Sequence, residues 1–390
     1  MKVLLQSRID LFSRRGGDTV QMEKTAGELE KLGVDVEISC EAKPDLSNFD
    51  LVHLFNIDWP AQVYLQAKNA EEYGVPIVFS PIHHSFQEIE RYEKENRYGL
   101  RRIINFLFPN RELREKFKDV CRMVADPKKI PSTLVELRKG IWNQQRELLQ
   151  LSDLVLVQTK KEAKDLETDF SYQDANVKRL PLNNADFYWR TVVNGVDPKF
   201  AAAKKDSFVQ EYGLEDFVLC VGRIEPRKNQ LAVVGAVTEY KLQNPNVKLV
   251  FVGKISQRHP EYAFRFKRKV KECDWIYHIQ QIPYEKIGSC YAAAKVHVLA
   301  SWFETTGLVN LEAALAGASV VAVGERAREY LENCAFYCDP GDIPSITEAI
   351  KKAWAAAPDP SFSKKIKKNF TWERAAKQTL EVYQMVVSSK

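Results

Sequence analysis

The sequence predicts an α/β chain made of two doubly wound domains, each built on a parallel sheet. Short apolar, β-branched runs alternate with helical stretches along most of the chain, which is the pattern of such sheets. The length of 390 residues suits two domains of roughly 180 residues each. The composition, with 45% hydrophobic and 28% charged residues, is that of a globular protein. No apolar run approaches the ~20 residues that a membrane-spanning helix needs.

The predicted strands are the short apolar runs, and the segments between them are predicted as helices. In the first half the strands are Val3–Ser7, Val34–Ser39, Leu51–Phe55, Ile77–Ile82 and Leu154–Gln158. In the second half they are Val218–Gly222, Lys248–Val252, Ile276–Ile282, Val296–Ser301, Val320–Val323 and Ala335–Cys338. Helical stretches such as Val20–Leu32 and Gln230–Gln243 separate most of them. We predict the join between the halves at residues 180–186, before the turn segment 192–198.

Residues 85–150 are too long for one crossover and predict a helical insertion, broken at Pro109, Pro127 and Pro131. This segment contains fifteen Lys and Arg and ten Asp and Glu, and its excess of five equals the net charge of +5 of the whole chain. Such a basic surface is typical of a solvated helical face. It is also typical of a docking face for an anionic membrane or a phosphorylated acceptor, and both interpretations remain open.

The two ends of the chain and its cysteines give further expectations. Met1–Arg8 is interpreted as a first strand and not as a signal peptide, because its apolar core is short. Seven cysteines without metal-type spacing predict reduced, packed thiols and a cytoplasmic protein. Residues 372–387 place apolar side chains near one face, which predicts a C-terminal helix that crosses back to the first domain.

The most informative segment is Glu304-Thr-Thr-Gly-Leu-Val-Asn-Leu-Glu-Ala-Ala, which follows the predicted strand Val296–Ser301. Residues 307–316 predict a helix, with Thr305 and Thr306 placed to cap its start. In open α/β sheets ligands bind at the carboxyl ends of the strands, and a helix N-terminus attracts phosphate. Because two acids flank this anion site, the segment predicts a sugar-nucleotide site, with one acid for the sugar hydroxyls and the other for a ribose.

A second motif, Gly222-Arg-Ile-Glu-Pro-Arg-Lys, follows the strand that opens the second half. Arg223 and Lys228 are two cations beside a strand end, which suits a diphosphate because each neutralises charge that grows as the leaving group departs. Alone, the motif would equally fit a solvated loop that is basic by chance. Together with the acidic segment it favours a diphosphate site.

The combination of Gly222-Arg223, Lys228-Asn229 and the spaced pair Glu304 and Glu312 resembles the family 4 retaining glycosyltransferases of the GT-B fold. Three further segments resemble that family and extend the likeness over nearly the full length: Gly16-Gly17, residues 152–162 and Asn194–Asp197. The resemblance implies two Rossmann-like domains that face each other across a cleft. Residues 1–185, with the insertion at about 85–150 and the helix 372–390, would form the acceptor domain, and residues 190–370 the donor domain.

The resemblance also implies roles for individual residues. Arg223 and Lys228 would hold the donor diphosphate, Glu304 would lie beside the donor sugar, and Glu312 would bind the nucleotide ribose. The other donor-binding residues that it implies are Gly16, Gly17, Gly222, Thr306 and the backbone amides of Gly307, Leu308 and Val309. Many members of the family carry a large aromatic residue where this chain has Thr306, so we expect this position to set its donor apart.

Members of the family commonly place a histidine at the end of the fourth strand, near the transferred sugar. Here Pro81 shifts any simple alignment, and His83 and His84 are both candidates. Neither is preferred on the sequence, and for each a packing role is an equal alternative.

The activity that the resemblance implies is transfer of a sugar, with retention of configuration, from a UDP-, GDP- or ADP-linked donor. The acceptor would be a carbohydrate, a lipid-linked molecule or a protein, in bacterial surface polysaccharide, lipopolysaccharide or glycoprotein assembly at the inner face of the membrane. No metal or other cofactor is expected, since no Asp-x-Asp motif lies near a strand end. No nucleic-acid partner is expected either, because the basic stretch 262–269 has a helical period. The alternatives are a nucleotide-sugar epimerase and a non-catalytic scaffold of the same fold.

Overall fold

The computed structural model describes residues 1–13, 15–95, 140–170, 189–357 and 360–389. The chain divides into two compact units. The first contains Met1–Ser85, the described residues between 140 and 194, and the C-terminal helix. The second contains the helix Phe86–Glu95 and the described part of Gly195–Thr371.

The first unit is built on a six-stranded parallel sheet with the strand order β2-β1-β3-β4-β5-β6. Its strands are β1 (Lys2–Gln6), β2 (Asp35–Ser39), β3 (Leu51–Phe55), β4 (Ile77–Ser80), β5 (Leu154–Val157) and β6 (Trp189–Thr191). The described helices of this unit are Gly17–Lys31, Pro60–Tyr73, Ile141–Leu151, Lys160–Phe170 and Trp372–Ser388.

The second unit is built on another six-stranded parallel sheet, with the order β12-β11-β10-β7-β8-β9. Its strands are β7 (Phe217–Val221), β8 (Leu249–Val252), β9 (Ile276–Ile279), β10 (Ala294–Val298), β11 (Ser319–Val323) and β12 (Phe336–Cys338). Its described α-helices are Phe86–Glu95, Asp206–Tyr212, Gln230–Lys241, Pro260–Glu272, Ile287–Ala293, Leu308–Leu315, Gly324–Leu331, Ile343–Ala355 and Pro360–Asn369. Short 3₁₀ turns lie at Pro198–Ala202, Pro226–Lys228 and Glu332–Cys334.

The predicted α/β class and the two doubly wound sheets are confirmed. Each predicted strand corresponds to an observed one, with ends that differ by a few residues, and the short strand β6 is added directly before the turn segment 192–198. All residues of β3 and β8 are buried. This follows from helices that cover both faces of a parallel sheet, so that its strands are apolar throughout and not alternating.

The helix Phe86–Glu95 departs from the predicted domain organisation. The sequence placed it in an insertion of the first domain, whereas its contacts group it with the second unit. Tyr92 is the residue of this helix that is buried. Residues 96–139, which include the three prolines of the predicted insertion, and the predicted join at 180–186 lie outside the described residues.

The C-terminal helix Trp372–Ser388 belongs to the first unit. Its Tyr383 hydroxyl lies 2.6 Å from Nδ1 of His53 on β3, and Nε2 of His53 lies 2.8 Å from the Ser80 hydroxyl on β4. Burial lowers the pKa of His53 to about 3, so the ring is neutral at physiological pH and uses one nitrogen as donor and the other as acceptor. A buried polar chain therefore fastens the last helix to the first sheet.

Within the described part of the chain, no helix combines the length and the apolar character needed to cross a membrane. The six cysteines found there form no disulfide bond.

We expect Tyr383→Phe to lower the free energy of unfolding of the first unit by about 1–3 kcal/mol, because it leaves a buried nitrogen of His53 without its partner. Urea unfolding followed by circular dichroism measures the change. Met385→Ala, on the exposed side of the same helix, is the control and is expected to stay within about 0.5 kcal/mol of the parent chain. An unfolding midpoint that is equal in the two variants would contradict the assignment.

Candidate functional site

The second-unit residues predicted to hold a donor lie where the strand order of the second sheet reverses. The strand β7 has β8 on one side and β10 on the other. In doubly wound sheets a crevice opens outside the carboxyl ends of the two strands at such a point. The turn Gly222–Lys228 follows β7, and the loop Ser301–Glu304 follows β10. The sheet topology therefore brings the basic and the acidic motif to one edge.

Lys228 and Glu304 form an ion pair at this edge. Nζ of Lys228 donates to Oε1 of Glu304, and Nη1 of Arg227 lies 3.5 Å from the same oxygen. The three side chains are largely enclosed, with 14%, 20% and 28% exposure for Lys228, Glu304 and Arg227. Burial alone would raise the pKa of Glu304, but Lys228 and Arg227 lower it to about 2. Glu304 is therefore an ionised carboxylate at neutral pH.

Arg227 is a site residue that the sequence reasoning missed. Its Nη1 donates to the Phe303 carbonyl oxygen at 3.3 Å, and its own carbonyl accepts from the Trp302 amide at 2.9 Å. Burial lowers the pKa of Arg227, but Glu304 and Glu225 outweigh that effect and raise it. Arg227 thus joins the turn after β7 to the loop after β10. The sequence shows that a second basic residue precedes Lys228, but it does not show which way the Arg227 side chain points.

Two glycines make room for this arrangement at the ends of β7 and β8. Gly222 has a φ of +146°, and the Lys228 stem passes 3.6 Å from the place where a Cβ on Gly222 would lie. Gly253 has a φ of +150°, and a Cβ there would lie 2.1 Å from the Gly222 carbonyl oxygen. The two strand ends therefore approach each other more closely than any other residue type allows. Gly253 was not among the predicted site residues.

Arg223 is more exposed than Arg227 and Lys228. Its guanidinium is about half exposed, and its Nη1 lies 3.9 Å from Oε2 of Glu225. Lys228, in contrast, is held by Glu304. The predicted pair of cations therefore consists of one fixed and one accessible charge.

The helix after the acidic loop runs from Leu308 to Leu315, and Gly307 occupies its N-cap position. Gly307 has a φ of +51°, and a Cβ there would lie 3.0 Å from Leu299. The prediction that Thr305 and Thr306 cap this helix is therefore wrong.

Thr306 is instead almost fully buried. The backbone amides of Gly307, Leu308 and Val309 lie at the start of the helix, where the positive end of the helix dipole favours an anion.

Glu312, on the same helix, is held by a tyrosine that the sequence reasoning did not single out. The Tyr291 hydroxyl donates to Oε2 of Glu312 at 2.7 Å. Burial first, and Glu312 second, raise the pKa of Tyr291 well above its ordinary value, so the phenol keeps its proton. The Phe200 ring packs edge-on against both Tyr291 and the partly exposed Tyr284, at 5.9 and 5.7 Å. Glu312 is thus fixed beside an aromatic cluster.

Gly16 and Gly17 lie in the first unit, at the start of the helix Gly17–Lys31. The Gly16 amide donates to the Thr19 hydroxyl at 3.1 Å, and a Cβ on Gly16 would lie 2.9 Å from Oδ1 of Asp18. Asp18 accepts two hydrogen bonds from Arg8, at 2.7 and 3.2 Å. The first loop is therefore a fixed turn built around an ion pair, whereas a Cβ on Gly17 would meet nothing within 4 Å.

His83 and His84 also lie in the first unit, after β4. His83 is fully buried, with Nε2 2.8 Å from Oδ2 of Asp169 and its amide donating to Oε1 of Glu162 at 2.7 Å. Ile82, before it, has a φ of +51°, which is rare for a β-branched residue. His84 is partly exposed. Of the two candidates, His84 has the exposure that contact with a substrate requires.

Among the described residues, no three His, Cys, Asp or Glu side chains cluster in a way that would hold a metal ion.

Comparison with known proteins gives a family match and two curated relatives. Residues 203–370 match the family described as glycosyl transferases group 1. The chain is 26% identical over 190 residues to O-antigen chain mannosyltransferase B of Escherichia coli, covering 46% of this chain and 49% of that protein. It is 27% identical over 261 residues to D-inositol 3-phosphate glycosyltransferase of Kribbella flavida, covering 61% and 58%. The matches thus span about half the length of these curated relatives.

Solved structures show the same fold over the whole chain. Sucrose-phosphate synthase of Thermosynechococcus elongatus superposes with a TM-score of 0.70 at 16% identity, covering 100% of both chains. The HepE protein of Anabaena, solved with UDP, gives 0.67 at 14% identity and covers 99% of this chain and 100% of its own. At these identities the likeness is one of fold.

We expect Gly253→Ala to destabilise the second unit by more than about 3 kcal/mol, because the added Cβ would overlap the Gly222 carbonyl and push the β7 end away. Thermal and urea unfolding measure it. Gly317→Ala is the matched control, since Gly317 also has a positive φ but its Cβ would meet nothing within 4 Å. That control is expected to cost only the strain of the backbone, about 1–2 kcal/mol. Equal losses in both variants would contradict the close approach.

Proposed function

We propose that this chain, a group 1 glycosyltransferase with the GT-B fold, transfers a sugar from a nucleotide-sugar donor to a hydroxyl group of a carbohydrate or glycoconjugate acceptor. The observation that carries the proposal is the cluster of Lys228, Arg227 and Glu304 at the switch point of the second sheet. The helix that begins at Leu308 follows the same loop and adds its N-terminus to that edge.

In this proposal Arg223, Lys228 and the amides of residues 307–309 hold the donor diphosphate. When the bond between the sugar C1 and the diphosphate oxygen breaks, its electron pair stays on that oxygen and adds negative charge there. The acceptor oxygen forms the new bond to C1, and its proton passes to the leaving diphosphate. Cations that are already fixed stabilise the leaving group most effectively, because they need no reorganisation during the reaction. Lys228 meets this condition through its contact with Glu304.

Glu304 would act through its charge. With a pKa of about 2 it stays ionised, so it serves as an acceptor for sugar hydroxyls and as a counter-charge to the sugar ring, and not as a proton donor. Glu312 would accept from the ribose hydroxyls of the nucleotide, with Tyr291 holding one of its oxygens in place. The partly exposed ring of Tyr284, which lies in the same aromatic cluster, offers a face on which a base can stack.

The proposal extends to retention of configuration, to independence of metal ions, and to a UDP-, GDP- or ADP-linked donor. The first unit would bind the acceptor, with His84 and the Gly16-Gly17 loop as its contacts. Assembly of a surface polysaccharide is the setting we propose, and the likeness to an O-antigen mannosyltransferase supports it.

We also propose that the basic segment 85–150 brings the enzyme to an anionic membrane surface, where lipid-linked acceptors lie. Most of that segment lies outside the described residues. Co-sedimentation with anionic liposomes at low salt tests this idea, and a protein that stays in the supernatant under those conditions would refute it.

Replacement of the charged residues at the β7–β10 edge is expected to reduce turnover without unfolding the protein. Arg223→Ala, Lys228→Ala and Glu304→Gln should each lower kcat by about 10²–10³, or about 3–4 kcal/mol, which is the usual cost of removing one group that stabilises developing charge. Steady-state kinetics and circular dichroism measure the two properties. Lys254→Ala, which changes a cation after the neighbouring strand β8, is the control. Wild-type kinetics in the Lys228 variant would refute the phosphate assignment.

The donor and the reaction class are tested on the unmodified chain. A thermal-shift panel of UDP-, GDP- and ADP-sugars should give one nucleotide that raises the melting temperature, because a ligand that binds only the folded state stabilises it. The matching labelled donor should then yield a glycosylated acceptor or slow hydrolysis, with equal rates in the presence and absence of EDTA. Conversion of the sugar without an acceptor would identify an epimerase. Binding with no turnover would identify a scaffold.

A further inference from the structure

The loop that carries Glu304 has no regular structure of its own. Residues 299–307 lie between β10 and the helix Leu308–Leu315 and belong to neither a strand nor a helix. Side-chain contacts made by Trp302 and Phe303 must therefore help to fix the position of the acid. Trp302 is buried, and the guanidinium carbon of Arg227 lies 5.4 Å from the centre of the Phe303 ring.

The helix Phe86–Glu95 supplies an aromatic residue on which these two side chains pack. The Tyr92 ring lies 5.6 Å from the Phe303 ring in an edge-on arrangement and 6.2 Å from the Trp302 ring. Tyr92 is buried, while most of its helix is exposed or half-buried. The face that this helix buries is thus the one turned toward the loop 299–307, which carries Glu304.

Arg91 adds a polar connection next to Tyr92. Its Nη2 donates to both carboxylate oxygens of Asp339, at 2.7 and 2.9 Å. Asp339 directly follows β12. The guanidinium carbon also lies 5.7 Å from the centre of the Trp302 ring. Both partners of this ion pair are nearly half exposed, and such pairs contribute little to stability. The buried ring of Tyr92 is therefore the stronger contact, and the Arg91–Asp339 pair adds a second one.

We infer that the helix Phe86–Glu95 is a positioning element for Glu304, with Tyr92 and Arg91 as its positioning residues. They act through Trp302 and Phe303, whose backbone is bonded to Arg227, and Arg227 in turn lies against the Glu304 carboxylate. The role in catalysis rests on the proposed function, since it is the placement of Glu304 beside the donor sugar that the helix would control.

The test uses the full chain and two readouts. Tyr92→Ala should lower kcat about 10- to 100-fold, because a small displacement of a catalytic group has an effect of that size. The Kd for the nucleoside diphosphate chosen from UDP, GDP and ADP should rise by a much smaller factor, because Arg223 also holds the diphosphate in the proposed function, whereas Glu304 is the acid placed beside the sugar. Tyr92→Phe keeps the ring and should retain most of the turnover. Lys94→Ala, on the exposed side of the same helix, is the control and should behave as wild type.

The second readout is independent of any activity. Hydrogen exchange followed by mass spectrometry should show amides of residues 299–307 exchanging several-fold faster in Tyr92→Ala, and unchanged in Lys94→Ala. If Tyr92→Ala does not fold, Arg91→Ala and Asp339→Ala should give the same two effects in weaker form.

The two readouts separate the possible outcomes. If the loop exchanges faster in Tyr92→Ala but the parent chain transfers no sugar, the structural role of the helix stands and the proposed function is refuted. Unchanged exchange in the loop would overturn the inference, whatever happens to kcat. A fall in turnover accompanied by an equal loss of nucleotide affinity would also overturn it, because the effect would then not be specific to Glu304.

Discussion

The ion pair between Lys228 and Glu304 is the interaction on which the candidate site depends. A carboxylate that is largely removed from water is unfavourable unless cations and hydrogen bonds replace its hydration. Here Lys228 and Arg227 do so, and they come from the end of a different strand than the acid. The pair therefore determines where two separate loops lie. Removing Lys228 would leave Arg227 as the remaining cation beside the Glu304 carboxylate, so the loop after β10 would keep one of its two charged contacts.

The backbone has to allow this pairing before the charges can meet. Gly222, Gly253 and Gly307 have φ angles in the left-handed region, and each lies in a segment that follows β7, β8 or β10. Residues with a side chain adopt such conformations only with strain. At Gly253 the added Cβ would also overlap a neighbouring carbonyl. The ion pair between Lys228 and Glu304 thus depends on these glycines, because they let the strand ends come close enough for the Lys228 stem to run along them.

Much of this was available from the sequence, and the physical reason is that the fold is encoded locally. Continuous β-branched runs predict strands that are buried on both faces, and such strands require helices on both sides of the sheet. The topology then places the ends of β7 and β10 together, so Arg223, Lys228 and Glu304 could be assigned to one edge without coordinates. The threonine cap failed for a tertiary reason. Thr306 is enclosed by the surrounding structure, and a glycine with a positive φ takes the cap position instead.

The residues that the sequence did not reveal are those whose roles depend on contacts between distant parts of the chain. In the sequence Tyr291 has the pattern of an ordinary core aromatic residue, and only the structure shows that its hydroxyl donates to Glu312. An amphipathic pattern shows that the helix Phe86–Glu95 must bury one face, but it does not show against which unit.

Arg91 and Asp339 are 248 residues apart in the sequence. The family match covers residues 203–370, whereas the unit that surrounds Glu304 also contains this helix from the first half of the chain. The segment shared with the family therefore supplies the charges of the site, while a segment outside that match supplies part of the packing around the loop that carries the acid.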